Sequence, residues 1–221
     1  MAKLNVLEPE IVEELLDSYQ KRNNSTTNNL VKTLANYIGS YSLENRKGYK
    51  AQVNGKEVKF VILTNDDKSM KVIYSNNGGK ENLLGSAISY NGEKEILHGY
   101  QIIDGNVQKV NEFEINEEFL KRFNQIQNNK EIPETSEGPT IQASCIYGNW
   151  CGPGCSGPES PISPVDTCCQ SHDNCYGDRG YFACSCDSEL QGCLNPYVLQ
   201  GSEWAITISL WFQGQPCNPF A

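Results

Sequence analysis

Cys168-Cys169-Gln170-Ser171-His172-Asp173-Asn174-Cys175-Tyr176 is the stretch on which the fold of this chain turns. Ser163-Pro164-Val165-Asp166 just before it makes a capping-box-like helix start, with proline at the first helical position, where its missing N–H is no loss. In the helix so opened, Cys168, His172 and Cys175 stand at i, i+4 and i+7 and share one face. Asp173 is turned by about 100° from His172 and faces a different ligand. A second helical stretch, Cys184 to Asn195, places Cys186 and Cys193 on one face as well. In an antiparallel helix pair, residues at the same level have a constant index sum. Cys168 with Cys193 and Cys175 with Cys186 share one such sum, so two disulfides can staple the helices as adjacent rungs at ~5.5–6 Å between Cα atoms. On that register Asp187 lies about 3 Å along the partner helix from the level of His172. A buried His–Asp couple is what general-base catalysis needs, because the carboxylate fixes the tautomer and stabilises the imidazolium.

Upstream, Tyr147-Gly148-Asn149-Trp150-Cys151-Gly152-Pro153-Gly154-Cys155-Ser156-Gly157 packs four glycines and a proline into a short loop. Such a backbone turns tightly and can aim its carbonyls inward, and carbonyl oxygens are accepted donors for calcium, which takes six to eight of them. By itself the loop is a weak signal. Together with the helix motif it is a strong one.

Loop, Cys-Cys-x-x-His-Asp-x-Cys-Tyr motif and Cys184-Ser185-Cys186-Asp187 occur in an order that resembles the secreted phospholipase A2 family over about a quarter of the chain, Cys145 to Cys193. The resemblance implies that His172 is the general base and Asp187 its partner. It implies calcium held by the Asp173 carboxylate and by the carbonyls of Trp150, Gly152 and Gly154. It also implies that Tyr176 bonds the catalytic aspartate. The family pairs the cysteines equivalent to Cys151–Cys169, Cys168–Cys193 and Cys175–Cys186; the last two agree with the index sums. Cys145, Cys155, Cys184 and Cys217 are left over, with three pairings open. The segment between Tyr176 and Cys184 is too short for the family's usual hairpin.

Composition divides the chain. Of its 221 residues and net charge of −9, residues 1–140 hold 17 cations against 20 acids, whereas residues 141–221 hold Arg179 alone against seven acids. All ten cysteines lie between Cys145 and Cys217. Acidity of this degree argues against a nucleic-acid partner, which needs a basic stripe. No apolar run is long enough for a membrane-spanning helix. A cysteine density this high belongs to an oxidising, extracellular setting. Residues 1–20 lack the apolar core of an export signal, so the chain is expected either to leave by another route or to have lost its leader.

The domains expected are 1–127, an α+β unit of unknown role; 128–144, a polar linker with Pro133 and Pro139; and 145–221, the mainly α, disulfide-rich phospholipase A2-like part with its two stapled antiparallel helices. In the first, apolar residues from Leu4 to Tyr19 recur at helical spacing, with Pro9 in the first turn. A second helix is expected from a cap at Ser25 or Thr26, through Leu30, Val31, Leu34, Ala35 and Ile38, to a stop at Gly39. From Tyr49 the period is two, and Asn54-Gly55, Asn91-Gly92 and Asp104-Gly105 mark hairpins. Two helices on an antiparallel meander follow. His98 is the single histidine here and reads as ordinary sheet. The first domain is expected to act as a pro-, inhibitory or targeting region, with intramolecular inhibition the form such a partner would take.

The function expected is calcium-dependent hydrolysis of the sn-2 acyl ester of glycerophospholipids by a water that His172 activates, at a membrane surface or on dispersed lipid. Trp204, Trp211, Phe212 and Phe220 either contact that lipid or pack against the helices. The alternative is a non-catalytic toxin or binding protein on the same scaffold. A zinc module built from Cys168, Cys169, His172 and Cys175 is the other rival, against which stands the adjacency of two cysteines.

Overall fold

In the computed structural model residues 4–39, 42–53, 56–77, 79–128, 145–152, 155–213 and 217 are described. They form a seven-stranded antiparallel sheet and five helices, and five disulfides close the cysteine-rich part. Contacts divide the chain into two compact units. One is Leu4–Glu117 with Leu199–Gly201; the other includes Glu118–Val198 and the chain from Ser202 onward. The linker expected over 128–144 lies outside the described residues, apart from Asn128.

In the sheet unit, β1 (Leu4–Val6) leads through α1 (Pro9–Ile38) to β2 (Asn45–Val53), β3 (Lys56–Thr64), β4 (Met70–Asn77), β5 (Lys80–Asn91), β6 (Lys94–Ile103) and β7 (Asn106–Ile115). The strands lie in sequence order, each antiparallel to the next. Asp104 and Gly105, both at positive φ, form the two-residue turn between Ile103 and its partner Asn106. At the previous hairpin Asn91 pairs with Lys94, so Asn91 closes the strand and Gly92 opens the turn. Asn54-Gly55 lies outside the described residues, between paired Val53 and Lys56.

The two helices expected before the sheet are one helical run, α1, broken in dihedral only at Asn23 (φ −130°, ψ 27°). Leu4, expected on the first helix, belongs to β1. Ser25 and Thr26 do not cap a new helix, because the polar stretch satisfies itself. Thr27 Oγ1 donates to the Asn23 carbonyl at 3.0 Å, and Asn28 Nδ2 donates to Asn24 Oδ1 at 3.0 Å. Gly39 does end the helix, with φ +76° and its N–H on the Ala35 carbonyl. Leu16, Tyr19, Leu30 and Leu34 of α1 are buried with Val61, Met70, Val72, Tyr74, Leu83 and Ala87. Gly85 permits this approach: a Cβ there would stand 2.7 Å from Leu34 Cδ1.

The second unit holds α2 (Glu117–Asn128), α3 (Pro164–Arg179), α4 (Cys184–Leu199) and α5 (Glu203–Gln213). In α2 Phe119, Phe123 and Ile126 stand at i, i+4 and i+7, a helical spacing visible in the sequence although no helix was expected there, whereas α5 has no such stripe. From Glu118 onward α2 belongs with the cysteine-rich residues, where Phe119 stacks on Tyr197 at 5.7 Å. From Trp204 to Trp211 α5 is buried on every side, so it carries no amphipathic stripe to read. Among the described residues no helix is long and apolar enough to cross a membrane.

One buried cation strains the sheet unit. Lys71 of β4 is 8% exposed and donates to the Lys68 carbonyl (3.0 Å) and to Gln200 Oε1 (3.2 Å), and among the described residues no carboxylate forms an ion pair with its ammonium. Burial first, then repulsion from Lys68, push its pKa from 10.5 down to about 8. A folded-state value below the unfolded one means that stability is lost at low pH: the cost is complete below about pH 8 and disappears as pH rises to 10.5. The gap corresponds to about 3 kcal/mol. Lys71→Met is therefore expected to raise stability at pH 7 by about 1–3 kcal/mol. Its advantage over the wild type in urea midpoint should shrink between pH 8 and pH 10.5; an advantage independent of pH would count against this cost.

Candidate active site

Ser163 caps α3 with its Oγ accepting from the Asp166 N–H at 3.2 Å, and Pro164 occupies the first turn. Four residues on α3 and α4 are then joined in pairs: Cys168–Cys193 and Cys175–Cys186 bridge the helices with Cα atoms 5.8 and 5.7 Å apart. His172 lies between these rungs, 4% exposed. Its Nε2 is 2.9 Å from Asp187 Oδ1, and Tyr176 donates its hydroxyl to the same oxygen at 2.6 Å. Burial, and then that bond, raise the pKa of Tyr176, so its hydroxyl stays a donor. A carboxylate only accepts, so Nε2 carries the proton and Nδ1 is left with the lone pair. Tyr176 lies 4.1 Å and Phe212 4.6 Å from the imidazole, ring to ring, the latter edge-on. The result is a buried imidazole held in one orientation.

Asp173, next along α3, is turned away from this couple; its Oδ1 is 3.8 Å from His172 Nδ1 and its Oδ2 accepts from Ser156 at 2.9 Å. Ser156 belongs to the glycine loop, so loop and helix meet at this carboxylate. Cys151–Cys169 fastens the loop to α3, and Cys145–Cys155 closes it on itself. Gly152 has φ +131° and its carbonyl accepts from the Cys155 N–H. Gly154, the third carbonyl donor implied by the resemblance, lies outside the described residues. The donors left are the Asp173 carboxylate and the Trp150 and Gly152 carbonyls. They are oxygen only, which fits a hard cation such as calcium. Among the described residues no three His, Cys, Asp or Glu side chains cluster as a metal cage, so a cation here depends on backbone oxygen.

No cysteine is free. Cys184–Cys217 is the fifth bridge, and the zinc module expected as a rival loses its ligands, since Cys168, Cys169 and Cys175 are all in disulfides. Trp204 and Trp211 are buried at 8% exposure and pack within the unit. Phe212 stands at the histidine instead of on the surface, while Phe220 lies outside the described residues. Among the described residues of this unit the exposed aromatics are Tyr181 and Phe182, in the short α3–α4 connection.

Asp166 is the residue that spacing alone did not single out. It is wholly buried, and its carboxylate accepts from three backbone N–H groups: Trp150 at 2.9 Å, Asn149 at 3.0 Å and Ile162 at 3.0 Å. Gly148 makes room, since a Cβ there would stand 2.3 Å from the Asp166 Cγ. An acid in the first turn of a helix was visible in sequence; that it would reach back to a loop some fifteen residues upstream was not. Asp166→Ala is expected to destabilise this unit by about 3 kcal/mol or more, since three buried donors lose their acceptor. Chemical denaturation followed by near-UV dichroism measures it, and a loss under 1 kcal/mol would show that the loop holds without the carboxylate.

The cysteine-rich part of this chain is a phospholipase A2-like domain. It is 49% identical over 43 residues to the acidic phospholipase A2 S17-58 of Austrelaps superbus, 18% of this chain and 27% of that protein. To the acidic phospholipase A2 homolog taipoxin gamma chain of Oxyuranus scutellatus scutellatus it is 43% identical over 53 residues, 24% and 33% of the two chains. A probable phospholipase A2 homolog 1 of Oryza sativa subsp. japonica is 36% identical over 50 residues, 22% and 36%. The match thus spans about a third of each relative's length. No family model matches the chain, and no solved structure matches it.

Proposed function

We propose that the chain is a calcium-dependent hydrolase of the sn-2 acyl ester of glycerophospholipids. The observation that carries this is the His172 Nε2–Asp187 contact of 2.9 Å, with Tyr176 on the same carboxylate oxygen and Asp173 beside the ring. His172 takes a proton from water at Nδ1 as the water oxygen attacks the ester carbonyl, and returns it to the leaving alcohol. Asp187 holds the tautomer and offsets the charge on the imidazolium. Tyr176 and Phe212 keep bulk water off the ring. Asp173 with the Trp150 and Gly152 carbonyls would hold calcium, and the Gly152 N–H would join it at the oxyanion. Calcium, when bound, supplies the positive charge that binds the phosphate and stabilises the oxyanion.

Five disulfides support an extracellular setting. The partner is a phospholipid surface or dispersed lipid. A second reading, a non-catalytic binding protein or toxin on the same scaffold, is favoured by the word homolog in the names of two relatives. An acyl-release assay on mixed phospholipids, with calcium or with chelator, separates the two.

His172→Gln is expected to lower acyl release at least about 10³-fold while leaving the fold and calcium binding intact, because the proton acceptor alone is lost. Turnover at the wild-type level would exclude the mechanism. Asp173→Lys is expected to abolish calcium binding and activity together, since a cation replaces the one anionic protein ligand. Calcium heats that persist in calorimetry of this variant would place the cation elsewhere.

A further inference from the structure

The pleat of β5, β6 and β7 brings together a second set of groups, within the sheet unit. Ala87 is paired with His98 and His98 with Glu112, and Ser89 follows Ala87 by the two residues that return a strand to the same face. Ser89, His98 and Glu112 therefore line one row across three neighbouring strands, on the face that Gly85 shares with α1. Ser89 Oγ is 2.8 Å from His98 Nε2, and His98 Nδ1 is 2.7 Å from Glu112 Oε2, off the straight N–H direction.

The imidazole is 7% exposed and has little freedom: Tyr37 stacks on it at 4.0 Å and 14°, its own hydroxyl 2.6 Å from that of Tyr100. Glu112 is half-exposed and is also paired with Lys109, which keeps it ionised. The ionised carboxylate 2.7 Å from Nδ1 makes no hydrogen bond to it, but its charge favours the tautomer with the proton on Nδ1, in which Nε2 presents its lone pair to the serine hydroxyl. Nucleophile, base and orienting acid are in the connectivity that serine-type acyl transfer requires. Ser89 is half-buried, beside the 70%-exposed Tyr90 and close to the β5–β6 turn, where a reagent can approach.

We propose that Ser89, His98 and Glu112 form a second, calcium-independent nucleophilic site that takes acyl or phosphonyl groups from activated esters. Ser89 Oγ bonds to the ester carbonyl carbon as its proton passes to His98 Nε2. The tetrahedral adduct breaks its bond to the leaving alcohol, which receives that proton and departs. A water then gives one proton to Nε2 and its oxygen to the acyl carbon; the acid leaves and Ser89 regains its proton. One ester and one water become one acid and one alcohol, with no oxidant or metal.

The test uses the full chain in chelator with a fluorophosphonate probe, whose P–F bond breaks as the Ser89 Oγ–P bond forms, with fluoride leaving and the proton on His98. The expected result is a covalent adduct mapped by peptide mass spectrometry to Ser89 and absent from Ser89→Ala. His98→Gln should slow labelling by about 10²-fold or more, with unchanged far-UV dichroism, and Glu112→Gln by about tenfold. Absence of an adduct at Ser89 in the wild type overturns the proposal. So does labelling of folded His98→Gln at the wild-type rate. Should His98→Gln not fold, the half-exposed Glu112 decides: a Glu112→Gln rate equal to the wild type overturns the triad, and a slowed one supports it.

Discussion

Cys168–Cys193 and Cys175–Cys186 lock α3 and α4 in one register, and His172 and Asp187 meet because that register admits no slip. A disulfide constrains the unfolded chain, and closing loops of 25 and 11 residues is worth about 3 kcal/mol each in the chain-entropy account. That matters for α3 and α4, neither of which has a strong amphipathic stripe. Most of the α3 face toward α4 is spent on sulfur and on one imidazole, so covalent bonds supply what a larger apolar core would give elsewhere. Order at the histidine follows directly: a ring gripped by Asp187, Tyr176 and Phe212 has one tautomer and one orientation.

The glycine loop depends on a different kind of constraint. Its buried N–H groups need acceptors, and the buried Asp166 carboxylate takes three backbone N–H groups, two of them from the loop. One anionic group at the start of α3 thus organises the loop, while a second, Asp173, stands further along the same helix. Ser156 ties the second back to the loop. The two aspartates carry the same charge and different environments, and their tasks differ accordingly.

In the sheet unit stability comes instead from packing of α1 on a meander, with local contacts between successive strands throughout. Such a fold tolerates polar residues on its faces, among them the buried Lys71, which has no ion pair among the described residues, and the Ser89–His98–Glu112 row, in which His98 Nδ1 stands at ion-pair distance from the carboxylate without a hydrogen bond. Neither contributes to the core, and a buried polar group without a structural dividend is where function is first to be sought.

Most of the candidate active site was legible in sequence, because helical period and cysteine spacing are local quantities: Cys168, His172 and Cys175 share a face by arithmetic, and Asp187 falls opposite by the same arithmetic. The Asp104-Gly105 hairpin was legible for a similar reason, since positive φ at both positions restricts which residues can stand there. Elements governed by partners far away in the chain were not. The helix continues through Asn23 because asparagine and threonine side chains satisfy its carbonyls, where a polar stretch suggests a break. Nothing in its own pattern distinguishes α5, buried on all sides. Only the tertiary structure decided that Asp166 reaches Asn149 and Trp150, that Phe212 lies on His172, and that His98 stands between a serine and a glutamate. Spacing along a chain determines which residues share a face; which face another segment covers depends on long-range packing, and local sequence carries no record of it.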